Sequence, residues 1–181
     1  MSKFKITKLD IEGLLIIEPT VFGDDRGYFY ESYNKKELEE VGFDVEFIQD
    51  NQSKSKKGVL RGLHYQKTKP QGKLVRVISG RIIDIALDIR KDSKTFGKWY
   101  SIELSAENKK QLYVPEGFAH GFVVISDYAE FLYKVTDYYD PSDEAGILYN
   151  DPTLNIDWGN IEEVILSDKD KVQPLFKDIK F

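Results

Sequence analysis

The sequence predicts a mainly β-sheet protein built as a sandwich or a barrel. Short apolar or alternating segments recur along the chain, and clusters of Gly, Pro, Asp and Asn separate them. Aromatic residues make up 13% of the chain, with 11 Tyr and 11 Phe, and such residues favour the pleated, half-buried surface of a sheet. Many short strands at this spacing favour a sandwich or a barrel over a fold that alternates strands with helices.

The predicted strands are short and follow one another along most of the chain. They cover residues 13–17, 28–33, 59–66, 73–79, 81–89, 100–104, 111–114, 121–125 and 131–138. Segment 81–89 has the clearest alternation of side chains. Its odd positions from 83 onward hold Ile or Leu, whereas its even positions include Asp84, Ala86 and Asp88. A period of two residues is that of a strand with two different faces.

Ser79 and Gly80 lie between two of these strands and predict a tight hairpin turn. Gly accepts the positive φ that such turns require. We therefore expect strands 73–79 and 81–89 to pair antiparallel with each other.

Helices form a minor part of the prediction and lie at the periphery. Asn34 is a candidate N-cap for a helix over residues 34–41, and Gly42 follows its end. A weaker helical pattern covers residues 160–166. From Asp151 onward the chain has fewer alternating segments, and we expect this part to wrap around the β core.

Length, charge and composition limit the classes of function. With 181 residues and no repeat or linker, the chain is predicted to form a single domain over residues 1–181. Its 26 Lys and Arg residues against 31 Asp and Glu residues give a net charge of −5, which argues against a nucleic-acid partner. No segment approaches the ~18 apolar residues of a membrane span. The absence of Cys fits a reducing compartment, so we expect a cytoplasmic protein.

The two histidines are candidate functional residues, and each has an alternative structural interpretation. His64 lies in the sequence RGLHYQ, where charged and polar side chains among Leu and Val are costly unless a cavity or an anion receives them. Alternation would place Arg61 and His64 on opposite faces, so either Gly62 forms a bulge or only one of the two points inward. His120 lies in PEGFAHGF, whose small residues either let a ligand approach closely or merely build a tight connection.

Other signals for chemistry are weak in the sequence. Each His lacks a second His at strand or helix spacing, so we expect no metal site. No GxGxxG, P-loop or GxSxG pattern occurs, which removes the usual signals for a dinucleotide, a Walker-type phosphate site or a nucleophilic Ser.

Tyr133 and the basic residues are ambiguous on sequence grounds alone. Tyr133 shares a strand face with Phe131, as a core aromatic residue would. Four basic residues are scattered along the chain, namely Arg26, Arg61, Lys73 and Arg76. If the fold brought them together, they would suit a phosphorylated or nucleotide-linked substrate, because Arg binds phosphate oxygens in a bidentate way.

Seven motifs occur along the chain in a fixed order. They are DRGYFYE at 25–31, QDNQS at 49–53, GVLRGLHYQ at 58–66, PQGKLVRV at 70–77, VPEGFAHGF at 114–122, YKVTDYYDP at 133–141 and LSDKD at 166–170. Together they resemble the dTDP-4-dehydrorhamnose 3,5-epimerase family over nearly the whole chain. One motif alone would be weak, but seven in order are highly specific. The resemblance implies a cupin-like double-stranded β-helix, or jelly roll, with short peripheral helices.

The resemblance also implies a reaction and roles for four residues. Members of this family epimerise the 3- and 5-carbons of a 4-keto-6-deoxyhexose linked to a nucleoside diphosphate, without a cofactor. We therefore expect conversion of dTDP-4-dehydro-6-deoxy-D-glucose to dTDP-4-dehydro-L-rhamnose, a step of dTDP-L-rhamnose biosynthesis. His64 matches the family's base, Asp170 its dyad partner, and Tyr133 the acid on the other face of the sugar. Lys73 would place a positive charge near the enolate oxygen.

Further matches to the family imply a set of substrate-binding residues and a dimer. The matching positions are Arg26, Phe29, Glu31, Gln49, Asn51, Arg61, His120 and Tyr139. In the family the enzyme is a homodimer in which the N-terminal motif reaches the partner's site, and the resemblance implies the same exchange here.

The sequence leaves alternatives open. An epimerase that inverts only one carbon would need the same residues. A non-catalytic module that binds nucleotide sugars and a metal-dependent cupin enzyme represent two other classes. The chain also departs from the family where Tyr149 replaces the usual Trp and Gly159 a frequent Pro, so thymidine rather than uridine is an expectation only.

Overall fold

The computed structural model describes residues 2–180 of the protein. The strands within that range are β1 (Phe4–Lys8), β2 (Leu15–Pro19), β3 (Phe22–Asp24), β4 (Gly27–Phe29), β5 (Gln49–Lys56), β6 (Leu60–Gln66), β7 (Lys73–Ser79), β8 (Arg81–Asp88), β9 (Trp99–Ser105), β10 (Gln111–Val114), β11 (Phe118–Val124), β12 (Tyr128–Val135) and β13 (Glu144–Gly146). The described residues also contain the helix α1 (Lys35–Glu40) and 3₁₀ turns at Asp170–Val172 and Phe176–Asp178. None of the helical segments between residues 2 and 180 has the length and apolar character to cross a bilayer.

Two antiparallel sheets make up the body of the fold. The larger sheet has the strand order β1-β2-β10-β7-β12-β5, and the smaller sheet has the order β13-β6-β11-β8-β9. Strands β3 and β4 form a separate hairpin. Most neighbours in each sheet are distant in sequence, as in β7 and β12, so the chain crosses repeatedly from one sheet to the other. The predicted mainly β-sheet architecture is confirmed.

Side chains from both sheets form the core between them. Val75 and Phe131 of the larger sheet pack in one buried cluster with Ile82 and Phe122 of the smaller sheet. Burying apolar area of this kind is the main favourable contribution to folding. The two sheets are thus held face to face, and side chains at one end of this layer remain available to line a cavity.

The C-terminal part of the chain covers the outer face of the smaller sheet. Leu154 and Trp158 are buried there against Ile85 of β8. The next residue on the same strand, Ala86, faces the core between the sheets, as does Ile82. Strand β8 is therefore buried on both faces, with the alternation expected from its sequence, and the predicted wrapping by residues beyond 151 is confirmed.

The predicted hairpin between 73–79 and 81–89 is wrong. Strand β7 pairs with β10 and β12 in the larger sheet, whereas β8 pairs with β9 and β11 in the smaller one. Gly80 does have the expected positive φ, at +77°, and a Cβ at this position would lie 2.0 Å from the carbonyl oxygen of Tyr128. The turn therefore passes from one sheet to the other. A turn signal specifies the local backbone conformation, but not the sheet that each strand joins.

One of the two predicted helices is confirmed, and the other is wrong. Helix α1 begins after Asn34, whose side-chain oxygen accepts a hydrogen bond from the backbone N–H of Glu37. Residues 160–166 do not form a helix. Instead, Ile165 forms a parallel bridge with Val59, and its apolar neighbours pack against the smaller sheet. Tertiary packing overrides a weak helical pattern in this short segment.

Several strands were not predicted, and the most important of them is β5. Its sequence QDNQSKSK contains no apolar residue, although it pairs with β12 along its whole length at the edge of the larger sheet. Strands β1, β3 and β13 were also missed, and predicted segment 28–33 is a strand only as far as Phe29. Because β5 is polar, hydrophobic alternation cannot reveal it. It nevertheless supplies one wall of the cavity described next.

Candidate active site

A cavity of about 580 Å³ lies between the two sheets. Strands β5, β7 and β12 line it from the larger sheet, β6, β11 and β13 line it from the smaller sheet, and residues 165–170 lie along its side. The predicted site residues that line this cavity are His64, Tyr133, Asp170, Lys73, Asn51, Arg61, His120 and Tyr139. The fold thus brings together residues that are widely separated in sequence.

An irregularity in β6 lets two of these side chains point into the cavity. His64 pairs with His120 across the strands, but Arg61 pairs with Phe122, so the register shifts between these pairs. Gly62 lies at the shift with φ +132°, and a Cβ on it would lie 2.5 Å from the Cα of Gly121. Of the two possibilities that the sequence leaves open, the bulge is the correct one.

His64 and Asp170 form a short polar contact in the cavity. The His64 Nε2 atom lies 2.5 Å from Asp170 Oδ1, and Asp170 is only 3% exposed. Burial alone would raise the pKa of the Asp170 carboxyl, but the hydrogen bond and the charge of His64 hold it below its ordinary value. An ionised carboxylate in this position fixes the orientation of the imidazole ring through the hydrogen bond to Nε2.

Glu144 contributes a second carboxylate near the same imidazole. Its Oε1 atom lies 3.9 Å from His64 Nδ1, and its Oε2 atom accepts a 2.5 Å hydrogen bond from the hydroxyl of Tyr139 and pairs with the Lys169 ammonium. Accepting this hydrogen bond, Glu144 raises the pKa of Tyr139 to about 12. The imidazole is therefore flanked by carboxylates on both ring nitrogens.

The larger sheet presents Lys73 and Tyr133 to the cavity. Burial lowers the pKa of Lys73 to about 8, and the negative charges of Asp84 and Glu144 partly offset this effect. Burial also raises the pKa of the Tyr133 hydroxyl, and the positive charge of Arg61 opposes that shift. At neutral pH, Lys73 is thus mainly an ammonium cation and Tyr133 a neutral phenol that can donate a proton.

His120 belongs to a second buried His–carboxylate pair. Its Nε2 atom lies 2.9 Å and 3.0 Å from the two carboxylate oxygens of Asp84, which is fully buried. Its ring is nearly parallel to that of Phe131, with centroids 6.1 Å apart. The pair holds His120 on the wall of the cavity, one strand away from His64.

Two predicted binding residues, Gln49 and Asn51, form a small polar group on β5. The Gln49 side-chain amide donates a 2.9 Å hydrogen bond to the Asn51 side chain. Gln49 also accepts a hydrogen bond from the backbone N–H of Tyr139. Asn51 lines the cavity, whereas Gln49 lies next to it and links β5 to the loop that carries Tyr139.

The structure places three predicted binding residues outside the cavity of their own chain. Arg26 lies between β3 and β4 and pairs with Asp24, and Phe29 at the end of β4 is 67% exposed. Glu31 pairs with Lys3. These side chains belong to the exposed hairpin and its continuation, so they do not contribute to the pocket of the isolated chain.

Sequence reasoning missed three charged residues of this site, namely Asp84, Glu144 and Lys169. Asp84 had a usable signal, because a charged residue between Ile83 and Ile85 in a largely apolar strand needs a buried partner. Glu144 and Lys169 had none, because each is a single charge outside any pattern of strand alternation. Within residues 2–180 no group of three His, Cys, Asp or Glu side chains is arranged to hold a metal ion.

Two antiparallel sheets enclose a cavity that holds a His–carboxylate pair, a buried amine and a phenol. This combination defines an acid–base enzyme of the cupin-like class. The chain belongs to the dTDP-4-dehydrorhamnose 3,5-epimerase family, whose sequence model matches residues 8–178. The predicted family and the cupin-like jelly roll are both confirmed.

Individual relatives match along almost the whole chain. The dTDP-4-dehydrorhamnose 3,5-epimerase of Pseudomonas aeruginosa is 54% identical over 175 residues, covering 96% of this chain and 97% of the relative. That of Salmonella typhimurium is 57% identical over 172 residues, covering 94% of each chain. The crystal structure of a Legionella pneumophila 3,5-epimerase in complex with dTDP-4-keto-L-rhamnose has a TM-score of 0.94 and 52% identity, covering 98% of this chain and 95% of that one.

Proposed function

We propose that the protein, as a single domain, epimerises the 3- and 5-carbons of dTDP-4-dehydro-6-deoxy-D-glucose to give dTDP-4-dehydro-L-rhamnose in dTDP-L-rhamnose biosynthesis. The names of its relatives and the keto sugar bound to the Legionella structure support this substrate. One observation carries the proposal. His64, which lies on the smaller sheet and contacts Asp170, and Tyr133, which lies on the larger sheet, line the same cavity.

The proposed reaction begins with removal of a proton from carbon. The 4-carbonyl of the sugar acidifies the C–H bonds at the neighbouring 3- and 5-carbons. His64 accepts one of these protons, and the electron pair of the broken C–H bond moves into the carbonyl to form an enolate. Asp170 stabilises the imidazolium that results, because its ionised carboxylate lies 2.5 Å from Nε2.

Inversion is completed when a proton returns from the other face of the sugar. Tyr133 donates its phenolic proton to the enolate carbon, the carbonyl re-forms, and the configuration at that carbon is inverted. The sugar carbon loses one proton and gains one proton, so its oxidation state is unchanged and the step needs no electron acceptor or redox cofactor. We expect His64 and Tyr133 to be returned to their starting protonation states by exchange with solvent before the second carbon reacts.

Lys73 is the proposed electrostatic stabiliser of the enolate. Its side chain is partly buried in the wall of the cavity, where a charge interacts more strongly with a developing anion than it would in water. Its side chain comes from β7, between β10 and β12 in the larger sheet, and is therefore held by a strand in the middle of that sheet.

The remaining cavity residues are proposed to bind the sugar nucleotide. Arg61, which donates a hydrogen bond to Ser55, would contact the diphosphate. Asn51, His120 and Tyr139 would contact the sugar and the nucleotide base. Thymine is the proposed base because the relatives named above are epimerases of a dTDP-linked sugar.

The pocket is proposed to be completed by a second copy of the chain. Arg26, Phe29 and Glu31 match nucleotide-binding positions but lie away from the cavity of their own subunit. The hairpin of β3 and β4 also exposes three aromatic residues to solvent, with Phe22 53%, Tyr28 61% and Phe29 67% exposed. A symmetric homodimer in which each hairpin enters the partner's pocket would bury this apolar surface and use all three binding residues.

The proposed setting of the reaction is the cytoplasm. The chain contains no Cys, as suits a reducing compartment, and its substrate is a nucleotide sugar. With a net charge of −5, it has no electrostatic reason to bind nucleic acid. The proposed partners are therefore the dTDP-linked sugar and a second copy of the chain.

The reaction is tested by incubating the protein with dTDP-4-dehydro-6-deoxy-D-glucose in deuterated water and recording NMR spectra of the sugar. We expect deuterium at both the 3- and the 5-carbon, because each new proton comes from a group that exchanges with solvent. H64N should lower the rate by about 10²–10⁴-fold, since it removes the base, while binding of dTDP stays close to that of the wild type. Label at one carbon only would favour the single-carbon epimerase, and unchanged turnover in H64N would contradict the proposed base.

The Lys73 charge predicts a fall in activity at alkaline pH. With a pKa of about 8, the ammonium is present below that pH and is lost as the pH rises through it. We expect the rate to fall over the same range in the wild type. K73R should keep its charge and move the fall to higher pH, whereas K73Q should lose about 10²–10³-fold at every pH. A K73Q enzyme with wild-type turnover would rule out this role.

Exchange of the hairpins is tested by mixing two defective subunits. R26A lacks a nucleotide contact and H64N lacks the base, so each homodimer should be weakly active. When the two are co-expressed with different tags, a mixed dimer has one pocket with His64 and an intact partner hairpin. Random assembly should then restore about a quarter of wild-type activity. If the hairpin served its own subunit, the mixture would be no more active than the separate variants.

A further inference from the structure

The segment that carries Asp170, residues 167–172, is anchored to the rest of the protein by backbone hydrogen bonds on either side of it. Before it, Ile165 exchanges backbone hydrogen bonds with Gly58 and Leu60. After it, Pro174 accepts a hydrogen bond from the backbone N–H of Leu148. Between these anchors, the backbone N–H groups of residues 171 and 172 bond back within the segment, to the carbonyl oxygens of residues 167 and 169. The position of Asp170 therefore depends strongly on side-chain contacts.

Two adjacent charged side chains of this segment reach the sheet. Asp170 binds His64 Nε2, and Lys169 pairs with the carboxylate of Glu144. Glu144 Oε1 lies 3.9 Å from His64 Nδ1, on the opposite side of the ring. The segment is thus linked to both ring nitrogens of His64. Asp170 contacts Nε2 directly, and Lys169 is linked to Nδ1 through Glu144.

Glu144 is well placed to receive the lysine. It lies on β13, where its backbone pairs with Gln66 while Gly146 pairs with His64, so β13 and the strand of the base are neighbours. Its side chain is only 13% exposed, whereas that of Lys169 is 50% exposed. The oxygen that pairs with the lysine, Oε2, also accepts a hydrogen bond from the Tyr139 hydroxyl, and this second contact helps to fix the carboxylate. Glu144 is therefore a fixed anchor, and Lys169 is the movable member of the pair.

We infer that Glu144 and Lys169 are positioning residues that hold the Asp170 segment closed against His64. The inference deepens the proposed function and rests on it, because it assigns how the dyad of the base is kept in place. Loss of the ion pair leaves Asp170 attached through its own contact and through anchors several residues away. The segment then opens more often, and the imidazole loses its partner for that fraction of time.

The first test is amide hydrogen exchange of the substrate-free protein, measured by mass spectrometry on peptides that cover residues 167–172. The backbone N–H groups of Asp170, Lys171 and Val172 are hydrogen-bonded within the segment and report its opening. K169M should exchange there roughly three- to tenfold faster than the wild type, which is the range expected for a partly exposed ion pair. E144Q should have the same effect, and the double variant should add nothing to either single one.

The matched control is K171M. Lys171 also forms an ion pair within this segment, but its partner Asp168 is fully exposed and lies three residues away. K171M removes the same charge from the same segment without breaking a link to the sheet. We expect its exchange to equal that of the wild type. Faster exchange in K171M, or unchanged exchange in K169M, would overturn the inference.

The second test separates positioning from direct contact with substrate. K169M should lower kcat by a smaller factor than it raises the exchange rate, with little change in KM and in the unfolding temperature, because kcat follows the fraction of time that Asp170 spends on His64, whereas exchange follows the open fraction. K169R should restore both turnover and slow exchange. A K169M variant with a raised KM and wild-type exchange would mean that Lys169 acts on the substrate instead. Because exchange is measured without turnover, its result stands apart from the identity of the substrate.

Discussion

The contact between His64 and Asp170 is the interaction on which the candidate site depends. It joins a strand in the smaller sheet to a segment more than one hundred residues later, and it makes the C-terminal part of the chain a component of the active site. The apolar residues around Trp158 bring that part of the chain to the sheet, and the bridge between Ile165 and Val59 sets its direction. Packing on the outer face of the sheet thus determines chemistry in the cavity on the other side.

The division of the site between two sheets explains how one cavity can invert a carbon centre. The proposed base comes from β6 and the proposed acid from β12, and these strands belong to different sheets that face each other. The apolar layer of Val75, Ile82 and their neighbours keeps the two walls at a fixed separation. Inversion needs a proton to leave from one face of the sugar and another to arrive on the opposite face. Two facing sheets can place a base on one side of the sugar and an acid on the other.

Much of the fold and most of the cavity could be predicted from the sequence, for identifiable reasons. Alternation identified β8, and the motif around His64 identified the proposed base. Where the prediction was wrong or incomplete, the local structure is set by pairing and packing with residues that are distant in the sequence. The turn at Gly80 has the expected conformation, yet the pairing partners of its strands are set by the whole sandwich. Residues 160–166 are not helical because their apolar side chains pack on a sheet, and Glu144 acquires its place only when β13 pairs with β6.

The central claim is that Asp170 makes His64 an effective base, and the most direct measurement is the rate of solvent deuterium exchange at the sugar carbons in D170N. This substitution keeps the shape of the side chain and removes its charge. The account predicts a rate about 10²–10³-fold below that of the wild type, with an unchanged dissociation constant for dTDP. Exchange at the wild-type rate in a correctly folded D170N enzyme would contradict it.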